Sequence, residues 1–131
     1  EGTENEIFSN YYLGKIAYEL GKFDEAKFLL NDFLDNTEKA TFVCGAIKRL
    51  VDIYFNEDDF LKSLDIIAIA NNFEINNPSR LELKLLKIDT LIKMNDLQGA
   101  KTEFEKILKS KNLPSHINLK LNEFEGMFSA F

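Results

Sequence analysis

Residues 18–30 read YELGKFDEAKFLL, and the pattern returns twice, as FNEDDFLKSLDII at 55–67 and IKMNDLQGAKTEF at 92–104. Each copy begins 37 residues after the last. Every copy runs from the apolar end of one helix through a polar turn to a large apolar residue three places before a small one. Those pairs are Phe23 and Ala26, Phe60 and Ser63, Leu97 and Ala100. A single hairpin of this size cannot bury its apolar face alone. A fixed period therefore predicts hairpins packed on one another, an architecture that mostly presents binding surfaces.

The apolar spacing is helical almost throughout, so an all-α fold is expected over a single domain, residues 1–131. Thr3 with Glu6 makes a capping box ahead of the first helix, which carries Ile7, Phe8, Tyr11, Leu13, Ile16, Ala17 and Leu20. Gly21 is placed to end it. Helix two is expected from about Phe23 to Leu34, burying Phe23, Ala26, Leu30 and Phe33. Asn36 and Thr37 predict the next start, with helix three over about 38–55 burying Phe42, Ala46, Leu50, Ile53 and Tyr54. Helix four carries Phe60, Leu64, Ile67 and Ala70. The stretch NNFEINNPS is the longest polar gap. Beyond it Pro78 suits a first turn, and Ser79 with Glu82 predicts a second capping box. Helices five and six carry Leu81, Leu85, Ile88, Leu91 and Ile92, then Leu97, Ala100, Phe104, Ile107 and Leu108. After Pro114, Ile117, Leu121, Phe124 and Phe128 form a single stripe. One-sided patterning of that kind suits a capping helix at 114–129, with a partner-binding amphipathic helix as the alternative.

Charge bears on the partner. The chain carries 16 Lys and Arg against 22 Asp and Glu, net -6. Such an excess of carboxylates repels phosphate backbones and argues against nucleic acid. The one basic run, Lys101, Lys106, Lys109 and Lys111, is interrupted by Glu103 and Glu105 and reads as an ion-paired helix face. No apolar run reaches the ~20 residues of a membrane span. The start, EGTENEIF, lacks the apolar region of a secretory signal, though a mature exported protein would read the same. Compartment is therefore left open. Cys44 is the only cysteine, so no internal disulfide can form. Its apolar neighbours suggest a small buried hydrophobe, the alternative being a lone reactive thiol.

Around the turns the residues resemble the tetratricopeptide repeat. Leu13 and Gly14 stand at that family's Leu-Gly pair, and Gly21, Phe23 and Ala26 fit its glycine, aromatic and alanine positions. Copies two and three depart from the pattern. Val51 and Ile88 stand where copy one has Gly14, and Asp58 and Asn95 where it has Gly21. Asn10 replaces the family's aromatic, and the proline after the second helix is missing from copies one and two. The resemblance implies a right-handed α-solenoid of three hairpins, at about 7–36, 44–73 and 81–110, with the capping helix after them. The period of 37 rather than 34 is similar to a subgroup in bacterial envelope proteins, such as the outer-membrane assembly lipoprotein and the Tol-Pal partner. A lipid anchor upstream would follow from that likeness.

The resemblance also implies where a partner would lie. The first helix of each hairpin would line a groove for a peptide or protein segment. The candidates are Phe8, Tyr11, Lys15 and Tyr18, then Lys48, Asp52 and Phe55, then Leu85, Asp89 and Ile92. Tyr18, Phe55 and Ile92 are equivalent and form an apolar row that is either groove or core. Lys15, Asp52 and Asp89 form a polar row beside it. The family's chaperone-tail clamp does not carry over, because its positions hold Tyr11, Lys15, Arg49, Glu82 and Leu86. No catalytic, metal or cofactor motif is legible. His116 is the single histidine, and Glu57, Asp58 and Asp59 read as a turn in which Asp59 caps helix four. The chain is expected to be no enzyme. A third expectation is self-association through Met127, Phe128 and Phe131.

Overall fold

The computed structural model describes residues 3–110 and 112–130, and among them every regular element is helical. In chain order these are α1 Glu4–Glu19, α2 Phe23–Asn36, α3 Val43–Asn56, α4 Phe60–Ala68, α5 Asn77–Lys93, α6 Leu97–Leu108 and α7 Ser115–Ser129. Ile69–Asn72 continue α4 as a short 3-10 helix. The helices gather into two compact units, residues 1–75 and 76–131, divided within the polar gap between Ala70 and Pro78. The first holds two hairpins. The second holds the third hairpin and α7.

The 37-residue recurrence is written into the backbone. Gly21, Asp58 and Asn95 all adopt left-handed conformations, with φ of 76°, 57° and 64°. The next residue in each copy has nearly the same backbone: φ -87°, ψ 72° at Lys22, -96°, 72° at Asp59 and -92°, 73° at Asp96. Its N–H reaches back to the helix just ended: Lys22 to the Ala17 carbonyl at 2.8 Å, Asp59 to Tyr54 at 2.8 Å, Asp96 to Leu91 at 2.9 Å. This is the Schellman arrangement, which satisfies carbonyls orphaned at a helix end. Only glycine enters the left-handed region freely. Asp58 and Asn95 are the types that tolerate it best. The side chains of Asp59 and Asp96 also accept from Lys62 N and Gly99 N, at 3.2 and 2.9 Å, capping α4 and α6. Lys22 has no such acceptor to offer α2.

Small residues set the approach within a hairpin. Ala26, Ser63 and Ala100, one per hairpin, are completely buried. Gly14 does the same from α1. A Cβ there would lie 2.7 Å from Leu30 Cδ2, inside contact distance. In the first unit the core continues through Leu30, Phe33, Val43, Ile47 and Leu50. In the second, α7 closes the hairpin, with Ile117 and Phe124 fully buried and Phe128 edge-on to Phe104 at 5.1 Å.

Three local expectations fail for identifiable reasons. α3 begins at Val43, not near residue 38, and Thr37 caps the end of α2. The Thr37 hydroxyl is used within its own loop, accepting from Lys39 N at 3.3 Å and donating to the Lys39 carbonyl at 3.2 Å. Phe42 precedes the helix at φ 68°, an unusual value for an aromatic residue, and stacks on Tyr11 with centroids 4.5 Å apart and planes 5° from parallel. Tertiary packing thus overrides the local helix signal. α5 is capped by Asn76, whose Oδ1 accepts from Ser79 N at 3.0 Å, rather than by Ser79 with Glu82. Phe23, expected in the core, is exposed at the start of α2, leaning on Tyr18.

Candidate functional site

In the first unit α1 and α3 lie side by side, meeting through Ala17 against Ile53 and through a set of aromatic and polar contacts. Gly45 makes the latter possible, because a Cβ at that position would lie 2.7 Å from the Tyr11 hydroxyl. Arg49, one turn on, fills the space left. Its Nη1 donates to the Gly45 carbonyl at 3.0 Å and to the Tyr11 hydroxyl at 3.2 Å. Its guanidinium carbon sits 5.8 Å from the Tyr11 ring centre and 5.9 Å from that of Tyr18, within cation–π range. Beyond it the Tyr18 hydroxyl donates to Asp52 Oδ2 at 2.7 Å. That bond to a carboxylate, with some burial, raises the Tyr18 phenol above its ordinary value.

The ten expected groove residues therefore fall into different roles. Tyr11 is buried, not open to a ligand, because Phe42 from the loop covers its face. Phe8 is half-buried in the same aromatic cluster, 5.6 Å from Phe42 and 6.3 Å from Phe33. Lys15 and Tyr18 are half-buried on α1, and Lys48 and Asp52 are exposed on α3. Phe55 is half-buried, its ring edge-on to Phe60 at 5.3 Å. In the second unit Leu85 is buried, while Asp89 and Ile92 are half-buried. Burial raises the Asp89 carboxyl, opposed by Lys120 of α7 at 3.7 Å. The repeat-equivalent residues Tyr18, Phe55 and Ile92 are thus each half-buried within their own unit.

The structure adds Arg49, Gly45 and Tyr12 to the α1–α3 face. Tyr12 is half-exposed beside Phe42, at 5.3 Å. A signal for the first two was present: Gly45, Arg49 and Asp52 follow i, i+4, i+7 and so share one face of a largely apolar helix. Elsewhere chemistry-bearing residues are scattered. Cys44 is half-buried, short of the full burial expected, and His116 is exposed in the first turn of α7. Among the described residues no three His, Cys, Asp or Glu side chains converge as a metal site. No described helix is long and apolar enough to cross a membrane. At the chain's far end Met127 is exposed and Phe128 is packed into the second unit; Phe131 and Lys111 lie outside the described residues.

No family model, curated protein or solved structure matches this chain.

Proposed function

We propose that this chain is a non-catalytic interaction module that holds a peptide or protein segment against the α1–α3 face of its first unit. The observation that carries the reading is the fixed Tyr18–Asp52 pair beneath Arg49. Tyrosine and arginine supply much of the binding energy at protein interfaces, and they do so best when already ordered. Here both are held by bonds within the face, and Lys15 on α1 and Lys48 on α3 lie within one helical turn of them in sequence. The finer fold reading is that the hairpins are tetratricopeptide-like, a class whose repeats stack as right-handed solenoids. The common Schellman turns and the buried Ala26, Ser63 and Ala100 support it.

The test is capture from a native lysate followed by mass spectrometry, comparing wild type with Tyr18→Ala/Lys48→Ala. Helical circular dichroism should be retained while the captured proteins are lost. Phe28→Ser, an exposed α2 position, serves as the control that should capture normally. Equal capture by the double variant would count decisively against this face.

A further inference from the structure

Leu13, Ile16 and Leu20 follow i, i+3, i+7 along α1 and form an apolar stripe. It lies away from the buried side, which holds Tyr11, Gly14 and Ala17. The three are 52%, 51% and 65% exposed. The internal repeat shows what such a stripe is for. Leu50 and Ile53 stand 37 residues after Leu13 and Ile16, and they are 0% and 1% exposed. Ile53 packs against Ala17 and Ala26, the small-residue crossing of the hairpin before it, with Tyr18 alongside. Glu57, which corresponds to Leu20, meets Lys27 of that preceding hairpin at 2.9 Å. α2 shows the same asymmetry: Leu29 is half-buried where its counterpart Ile66 is buried.

We infer that the outer stripe of α1 is a docking surface for one further hairpin of the same repeat, covering α1 as α1–α2 covers α3. The occupant offers an alanine-lined crossing to Ile16, as Ala17 and Ala26 do to Ile53. Leu20 stands where Glu57 stands, so the occupant carries an apolar residue where α2 carries Lys27. A second copy of this chain meeting stripe to stripe fits less well. It would bring the exposed Glu6 and Glu19 that flank the stripe against their own counterparts.

The test is a tandem duplication. A copy of residues 3–39 carrying Lys27→Leu, so that an apolar side chain meets Leu20, preserves the 37-residue register when inserted directly ahead of Thr3. The longer chain should be monomeric and melt higher than its parent. Amides over residues 13–20 of the downstream copy should exchange at least about tenfold more slowly than in the parent. Ile16→Glu in the downstream copy should abolish both gains, while the same change in the parent should leave its melting midpoint nearly unmoved. Unchanged exchange in the duplicated chain overturns the inference. So does equal protection when only residues 22–39 are added, because a single helix would then suffice. A parent that dimerises in sedimentation and becomes monomeric with Ile16→Glu also overturns it, by making a second copy the occupant.

Discussion

The Tyr18 hydroxyl donates to Asp52 at 2.7 Å, joining α1 to α3 across 34 positions of sequence. Removing the donor with Tyr18→Phe should cost about 0.5–1 kcal/mol, a hydrogen bond to a charged group weakened by solvent. The bond favours the neutral phenol, whose folded pKa is raised above 10.0. Its contribution is therefore complete below pH 10.0 and lost as pH rises through the raised folded value. Absorbance at 295 nm should show one tyrosine ionising late. Tyr18→Phe should delete that phase, and Asp52→Asn should move it back down. A phase untouched by Asp52→Asn would show that the carboxylate is not its cause.

Two glycines should respond in opposite directions to alanine. A Cβ at Gly14 would lie 2.7 and 2.8 Å from the Cδ2 and Cγ of Leu30, which is fully buried and cannot easily retreat. Gly14→Ala should lower stability by about 1–2 kcal/mol, overpacking outweighing better helix propensity. Gly126 on α7 has nothing within 4 Å of a Cβ. Gly126→Ala should raise stability by about 0.5–1 kcal/mol, through propensity alone. Urea midpoints measure both, and a stabilising Gly14→Ala would mean that Leu30 yields more than its burial implies.

The hairpins were legible because their signals are local. Gly21, Asp58 and Asn95 are turn formers at a constant interval, and small residues mark each crossing. The α2–α3 connection was not legible, because its decisive residue acts at a distance. Phe42 directly precedes α3, yet it takes a left-handed backbone to stack on Tyr11, 31 residues earlier. The same contact buries Tyr11, so helical periodicity could place Tyr11 on a face without telling which partner would cover it. Ile16 shows the converse. It has the apolar periodicity of a core residue, yet it is 51% exposed, because periodicity marks a face without saying what packs on it.

The left-handed turn residues give a third prediction. Gly21 at φ 76° accepts that conformation without cost, whereas Gly21→Ala forces a Cβ into it and should cost about 1 kcal/mol. Asp58 at φ 57° already bears some of that strain. Asp58→Gly should therefore be neutral or stabilising by up to about 0.5 kcal/mol, strain relief being partly offset by the larger unfolded-state entropy of glycine. Thermal melts of both variants decide it. A Gly21→Ala protein as stable as wild type would show that the turn adjusts to a different geometry.

In the second unit two carboxylates should drive stability in opposite directions with pH. Glu103 accepts from Lys87 Nζ at 2.7 Å, with Lys106 at 3.4 Å, and is held below its ordinary value of 4.5. Its contribution is present above pH 4.5 and lost as pH falls through the lowered folded value. Glu103→Gln should cost about 0.5–1 kcal/mol at pH 7, and that cost should shrink as pH falls through the lowered folded value. Asp89 is raised above 3.8, chiefly by burial, with Lys120 only partly opposing. Its neutral form is the one the fold prefers, so that contribution is present below pH 3.8 and lost as pH rises through the raised folded value. Asp89→Asn should accordingly raise the urea midpoint at pH 7 while leaving it nearly unchanged at pH 3. A midpoint that instead falls at pH 7 would mean that the Lys120 ion pair outweighs burial, and that α7 is held on α5 by charge as well as by Ile117 and Phe124.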